Sequence, residues 1–239
     1  MARKLTPAAR HMARVAAAQA AEQAAEELGT MANATVYEQH LAQLHQDRQR
    51  LKQIQSTQGK IELKKQLLPS YDDYIAGVLQ SGAGVQDDVF TTVMLWAIDA
   101  GQYDQALAMA RYVLAHNLKL ADRFARPAAT MVAEEIATTA LAALKTDAAF
   151  PLETLQAAEE LTREHDMHDQ ARSKIHLALG KARLLEFDEN AVNEQVLDGL
   201  RQAHKDLVRA IELHDNCGGK KDLEQVTRLL KKHAAPAAN

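Results

Sequence analysis

The chain has 239 residues, of which 47% are hydrophobic and 25% charged, so it can bury a sizeable core and is too apolar for wholesale disorder. Alanine, the strongest helix former, is the commonest residue, and aromatic residues make up 4%, which favours an all-α fold over a β-sandwich or barrel. The net charge of −4 shows no global basic excess, and the single cysteine, Cys217, excludes an internal disulfide and a multi-cysteine zinc site.

The N-terminal segment predicts two helices joined by a short turn. Thr6 followed by Pro7 is typical of an N-cap with proline in the first turn, and Gly29 is a natural terminator, which predicts a helix over 7–28. Thr35 and Glu38 form a capping box that opens a second helix. We expect this helix to be long, with a kink at Gly59 and an end before residue 69.

Apolar residues recur at three- and four-residue steps along the second predicted helix. A stripe this narrow resembles a coiled-coil seam more than the broad face of a core helix. We expect it to mediate self-assembly; the alternative is that it packs against the chain's own first helix. The stripe consists of Tyr37, Leu41, Leu44, Leu51, Ile54 and Ile61.

The remainder of the chain predicts a series of helical hairpins. Helices are expected near 71–80, 85–99, 103–117, 131–145, 152–165, 169–186, 190–214 and 220–233. Residues 96–112 follow the order W-x-x-D-x-G-x-Y-x-x-A-L-x-x-A-x-Y, which resembles one tetratricopeptide unit, and residues 196–232 weakly echo it. Two units are too few for a solenoid, so we predict a bundle of hairpins with tetratricopeptide-like packing over residues 70–239.

Charge alternates in blocks along the chain. Residues 1–20 hold four bases and no acid, residues 21–40 hold four glutamates and no base, and residues 41–70 hold six bases and two acids. Residues 71–110 then hold six aspartates and no lysine or arginine. We predict that residues 1–69 form a DNA-binding and assembly region. No aromatic residue interleaves with the bases, so contact with duplex phosphates is favoured over single-strand stacking. The alternative is that these bases only solvate an assembly helix. The candidates are Arg3, Lys4, Arg10, Arg14, Arg48, Arg50, Lys52, Lys60, Lys64 and Lys65, with Lys220, Lys221, Lys231 and Lys232 next.

A search for catalytic chemistry finds no phosphate-binding loop and no convincing metal site. His165 and His168 lie three residues apart, but no third ligand is indicated beside them. The acidic pairs Asp72-Asp73, Asp87-Asp88 and Glu134-Glu135 each fall near a predicted helix start, where carboxylates interact with the helix dipole. We therefore predict no catalytic residue, no metal and no cofactor.

Several segments, spread over most of the chain, resemble segments of one protein family. They are residues 6–15, 33–39, 65–69, 84–88 and 93–96, together with Ala106-Leu107, Ala110-Arg111-Tyr112, Glu134-Glu135, and Cys217 with Lys220-Lys221. In this order they resemble the small terminase subunit of temperate tailed bacteriophages, of the M type that is often labelled the terminase endonuclease subunit.

The resemblance implies a role in packaging the viral genome. Such a subunit binds the packaging site on double-stranded viral DNA, assembles with itself into a ring and recruits the large terminase subunit in the host cytoplasm. Because we find no catalytic centre, we expect a non-catalytic subunit, without a membrane partner. Two alternatives stay open, namely a tetratricopeptide-like scaffold that binds only protein, and a metal-dependent endonuclease in its own right.

Overall fold

The computed structural model describes residues 6–27, 35–121 and 126–234. Within these ranges the chain forms eleven α-helices and no β-strand, which confirms the predicted all-α class. None of the described helices is both long and apolar enough to cross a membrane. The helices are α1 (Pro7–Glu27), α2 (Thr35–Lys52), α3 (Thr57–Leu67), α4 (Asp72–Ser81), α5 (Asp88–Asp99), α6 (Tyr103–Ala115), α7 (Ala128–Leu144), α8 (Leu152–Thr162), α9 (Asp169–Leu185), α10 (Glu194–Leu213) and α11 (Lys220–Ala234).

Short polar side chains set two of the helix starts. The Thr6 hydroxyl oxygen accepts a hydrogen bond from the backbone N–H of Ala9 at 3.2 Å, as an N-cap should. The Asp87 carboxylate does the same for α5, where it accepts from the N–H of Phe90 at 2.8 Å. These caps satisfy backbone donors that would otherwise lack a partner. Helix α1 begins at Pro7, as predicted, whereas α5 begins at Asp88, three residues after its predicted start at residue 85.

The acidic pair Glu134-Glu135 does not lie at a helix start, contrary to our prediction. Helix α7 begins at Ala128, so the pair falls in the middle of the helix. The Glu134 carboxylate instead accepts a hydrogen bond from Lys174 Nζ on α9 at 2.6 Å. An ion pair between helices, not the helix dipole, therefore balances this charge.

The predicted long second helix is in fact two helices, and the break precedes the kink that we expected at Gly59. Helix α2 ends at Lys52, and Ser56 has an extended backbone with φ −74° and ψ 138°. The Ser56 hydroxyl accepts a hydrogen bond from the N–H of Gly59 at 3.0 Å and so caps α3. A new N-cap can start a second helix without Gly or Pro, so periodicity alone did not reveal the break.

Unit 1, Met1–Ala128, is one of two compact units and contains α1 to α6. Its core includes the fully buried side chains of Tyr71, Tyr74, Phe90 and Met94. Helix α1 packs on α4, and α2 packs on α5. The domain boundary that we predicted between residues 69 and 70 therefore falls inside unit 1, and the observed division lies between residues 128 and 129.

Helices α5 and α6 form the predicted hairpin in unit 1. Gly101 lies in the turn with φ +76°, a left-handed conformation that glycine adopts without strain. The Trp96 indole of α5 is buried and meets the Tyr71 ring edge-on at a centroid distance of 6.2 Å. The hairpin thus forms one side of the core, and α2 and α3 pack against its first helix, α5.

Unit 2, Ala129–Asn239, is built around the antiparallel pair α9 and α10. The Ser173 hydroxyl on α9 donates to the carbonyl of Ala210 on α10 at 2.7 Å. Gly180 allows the two helices to approach closely, since a Cβ there would lie 2.6 Å from Leu207 Cγ. Helix α11 packs on the same pair and adds Val226 to their core.

Candidate nucleic-acid interface

The two arginines predicted to bind DNA from α1 are both engaged by one carboxylate of α4. Arg10 Nε and Arg14 Nη2 each lie 3.0 Å from an oxygen of Asp73. Burial alone would raise the pKa of the Asp73 carboxyl, but the hydrogen bonds and charges of the two arginines outweigh it and lower that pKa. Both guanidinium groups stay about half exposed, so they join α1 to α4 and still reach the surface. Arg3 and Lys4 lie outside the described residues.

Three of the six predicted bases on α2 and α3 are also held in ion pairs. Arg50 Nη1 lies 3.0 Å from the buried carboxylate of Asp47, which accepts a second hydrogen bond from Tyr71. Lys64 pairs with Asp99 on α5, and Lys65 pairs with Glu62 within α3 at 3.0 Å. Among the described residues, Arg48, Lys52 and Lys60 have no ion-pair partner and are the predicted bases best placed to meet a phosphate.

The apolar stripe of α2 and α3 lies largely inside unit 1. Leu44 is fully buried and Leu51 nearly so, while Tyr37, Leu41, Ile54 and Ile61 are half-buried. The helix does not project, because its apolar side faces α1, α3 and α5. The argument that one chain cannot bury this stripe therefore does not hold, and the alternative of packing within the chain is favoured.

The opposite side of α2 faces solvent. Between residues 39 and 58 the chain has one acidic residue, Asp47, and its side chain is buried. Exposed positions on this side carry amides and bases, including Gln46, Gln49 and Lys52. The sequence prediction named only the bases on this side, although glutamine also recurs along the helix at residues 39, 43, 46 and 49.

A buried acidic and aromatic cluster lies at the start of α5. The Asp87 carboxylate accepts a hydrogen bond from Tyr74 Oη at 2.6 Å, and the ring of His40 stacks on that of Tyr74. Burial raises the pKa of Asp87 to about 6, although hydrogen bonds from Tyr74 and from backbone N–H groups oppose the rise. Burial and the nearby carboxylates of Asp88 and Asp87 raise the pKa of Tyr37 to about 12. The cluster connects α2, α4 and α5, and the Asp87 carboxylate at its centre is buried.

The C-terminal lysines, our second choice for DNA contact, lie at both ends of α11. Lys220 pairs with Asp215 at 2.7 Å, and Lys232 pairs with Glu189. Lys221 and Lys231 are exposed and form no ion pair with any residue that the structure describes. They lie in unit 2, whereas the bases on α2 and α3 lie in unit 1.

Within the described ranges no three His, Cys, Asp or Glu side chains converge as a metal site would require. His165 and His168 lie in the connection between α8 and α9. Cys217 lies half-buried in the connection between α10 and α11.

Comparison with known proteins identifies the family of the chain. The family model described as "Phage small terminase subunit" matches residues 41–170, more than half of the chain. The chain belongs to the phage small terminase subunit family. A curated relative from Escherichia phage P2, named "Terminase, endonuclease subunit", is 37% identical over 231 residues, which cover 97% of this chain and 88% of the relative. No solved structure matches the chain.

Family membership confirms the resemblance drawn from the sequence and corrects one expectation. We expected a non-catalytic subunit, and that prediction is contradicted because the relative is named as an endonuclease subunit. The prediction depended on finding no convergent carboxylates in the sequence. Such convergence is a property of the folded and assembled molecule, so a search along one chain is a weak test of it.

Proposed function

We propose that this small terminase protein binds double-stranded phage DNA and takes part in cutting it for genome packaging, together with the large terminase subunit in the host cytoplasm. The observation that carries the proposal is the 37% identity, along 97% of the chain, to a protein named as a terminase endonuclease subunit. Similarity that covers nearly all of both chains supports a shared role better than similarity confined to one segment.

The exposed side of α2 and the adjoining end of α3 form the proposed DNA surface. Arg48, Lys52 and Lys60 supply positive charge there without an acidic partner among the described residues. Asp47, the one acidic residue between residues 39 and 58, is buried and hydrogen-bonded to Tyr71 and Arg50. Exposed carboxylates lie only towards the two ends of this surface, at Glu38 on α2 and at Glu62, which pairs with Lys65 on α3. A surface on which bases outnumber exposed carboxylates suits a polyanion.

The proposed cutting activity is tested with the full chain and supercoiled phage DNA. We expect nicking or linearisation in buffer with Mg²⁺, and greater cutting when the large terminase subunit is added. Parallel reactions with EDTA, and with large subunit alone, separate cutting by this chain from cutting by its partner. If DNA is cut to the same extent by the large subunit with and without this chain, and never by this chain alone, the proposed role in cutting is wrong.

Self-assembly into a closed ring and tetratricopeptide-like packing of the hairpins remain part of the proposal. The ring is what the resemblance to the small terminase family implies. Head-to-tail contacts between copies that close on themselves would produce its cyclic symmetry. Light scattering on the full chain tests it, and a monomeric mass at high protein concentration would exclude it. Because the apolar stripe is largely covered within unit 1, substitutions at Leu44 would alter folding and are unsuitable for this test.

A further inference from the structure

We propose that the outer face of α1 binds the same face of a second copy of this chain, with the two helices antiparallel about a twofold axis at Val15. The contact is separate from the proposed DNA surface on α2 and α3 and from the contact that would close a ring. The outer face is the side of α1 that points away from α4. It consists of Ala8, Met12, Val15, Gln19 and Glu22.

The position of this face follows from how α1 packs within unit 1. Ala17, Ala21 and Ala24 are buried. Ala17 meets α4 so closely that a Cβ at Gly77 would lie 2.6 Å from its own Cβ. Because a helix has about 3.6 residues per turn, the residues of the outer face lie on the side of α1 opposite these alanines. All of them are exposed.

The middle of the outer face is apolar although it faces solvent. Met12 is 68% exposed and Val15 36%, and in the part of the chain that the structure describes only Leu185 is also large, apolar and exposed. The steps from residue 8 to residue 22 alternate between four and three residues, the repeat with which one helix packs along another. A second helix laid along this face would cover both apolar side chains.

The charges of α1 make it complementary to itself when two copies run antiparallel. Residues 7–17 hold two arginines and no acid, whereas residues 18–27 hold three glutamates and no lysine or arginine. An antiparallel pair brings the basic half of each helix beside the acidic half of the other, and a parallel pair would bring like charges together. Arg10 and Arg14 remain about half exposed while they bind Asp73, so their charge still reaches a neighbour. This match of the helix with its own sequence favours a second copy of this chain over an unrelated partner.

A twofold contact joins copies in pairs and cannot by itself build a larger ring. If the chain also forms a ring through another surface, the contact at α1 would join two rings face to face. A single pair of helices is at the small end of specific interfaces, so the association should be weak and should depend on protein concentration.

Charge substitutions at Val15 test the contact, because this residue meets its own copy on the twofold axis. V15E and V15K each place two like charges together, and we expect the dissociation constant for pairing to rise at least about tenfold. The mass of the full chain in sedimentation should fall by half, whether two chains or two rings were paired. An equal mixture of V15E and V15K should restore the mass, because opposite charges then meet on the axis. L185E makes the same change at an exposed apolar residue of α9 and, as the matched control, should keep the wild-type mass.

Cross-linking tests the direction of the two helices. The native thiol is first removed with C217S, and chains that carry A8C or E22C are then treated with a short bismaleimide. Antiparallel pairing about Val15 places residue 8 of one copy beside residue 22 of the other. We therefore expect links between A8C and E22C chains and none between two A8C chains.

The opposite results would overturn the proposed contact. Links between A8C chains would show parallel helices. If V15E and V15K keep the wild-type mass, or if their mixture does not restore it, the twofold contact at Val15 is wrong, while a ring and DNA cutting are unaffected. A wild-type chain that stays monomeric at high concentration would exclude both this contact and the ring, and the cutting assay would still decide the proposed role in DNA cutting.

Discussion

Asp87 is a buried carboxylate whose pKa controls part of the pH dependence of stability. Its side chain is 1% exposed and accepts hydrogen bonds from Tyr74 and Phe90, yet burial raises its pKa from 3.8 to about 6. Between these two values the folded chain binds a proton more readily than the unfolded chain. The contribution of Asp87 to the free energy of unfolding therefore falls as the pH rises from about 4 to 6.

Replacing Asp87 by Asn should remove this pH dependence, because an amide can still cap α5 but does not titrate. We expect the free energy of unfolding of the wild type, relative to D87N, to fall by roughly 3 kcal/mol between pH 3 and 7. Urea unfolding at several pH values measures it. D104N changes an exposed acidic residue in the first turn of α6 and should show no such trend. Parallel profiles for wild type and D87N would contradict the assignment.

Gly77 on α4 lies where α1 approaches closely, so stability should depend on the small size of this residue. A Cβ at this position would lie 2.4 Å from the carbonyl oxygen of Arg14 and 2.6 Å from Ala17 Cβ, so α1 would have to move away from α4. We expect G77A to destabilise the protein by about 1–3 kcal/mol. G199A is the matched control in α10, where nothing lies within 4 Å, and should stabilise by up to about 1 kcal/mol. Urea unfolding of both variants compares them, and a G77A protein as stable as the wild type would show that α1 does not pack as described.

Single residues were predictable where the signal is local. Thr6 was predicted as an N-cap because the residues beside it carry the signal, and its hydroxyl does accept from the N–H of Ala9. Asp87 was predicted to lie near a helix start but not to cap it, although its carboxylate accepts from the N–H of Phe90. The pairing of Arg10 and Arg14 with Asp73 could not be read in this way, because the partners are 59 and 63 residues apart. Which predicted bases remain available for DNA therefore depends on the tertiary structure.

The break between α2 and α3 is the main feature of the helical elements that the sequence did not predict. The Ser56 hydroxyl accepts from the N–H of Gly59, so α3 begins independently of α2. We expect S56A to destabilise unit 1 by about 0.5–2 kcal/mol, the usual effect of removing an N-cap. T57A alters the adjacent exposed residue without removing the cap and should have a much smaller effect. Thermal or urea unfolding would distinguish them, and equal stabilities for S56A and T57A would argue against the cap.

The other helices could be predicted from the sequence, because alanine-rich amphipathic segments favour helix and residues that end helices separate them. Helices α4 to α11 all begin within about four residues of their predicted starts, as helix ends usually do. The division of the molecule was not predictable, because it depends on which helices pack together. Helix α1 packs on α4, and α2 and α3 pack on α5 of the first hairpin, so the N-terminal helices belong to the same unit as α4 to α6. These contacts join segments far apart in the sequence and cannot be read from a local pattern.

For the whole molecule, DNA binding should depend more on where the charges lie than on the net charge. The net charge is −4, yet Arg48, Lys52 and Lys60 lie unpaired among the described residues on one side of unit 1. Of the three acidic residues on α2 and α3, Asp47 is buried and paired with Arg50, Glu62 is paired with Lys65, and Glu38 is exposed at the far end of α2. The protein can therefore repel DNA weakly as a whole and still bind it through one surface.

The three unpaired bases of α2 and α3 should determine how strongly DNA binding depends on salt. A protein that neutralises phosphates releases counterions, so the logarithm of the affinity falls with that of the salt concentration by about 0.9 per phosphate contact. We expect the combined variant R48A/K52A/K60A to bind a random duplex with a slope shallower by nearly 3, measured between about 50 and 200 mM salt. The variant R163A/R201A/R209A makes the same change in net charge, but its arginines are paired with carboxylates in unit 2, so its slope should equal that of the wild type. If both variants lose the same slope, binding follows net charge and not the surface of α2 and α3.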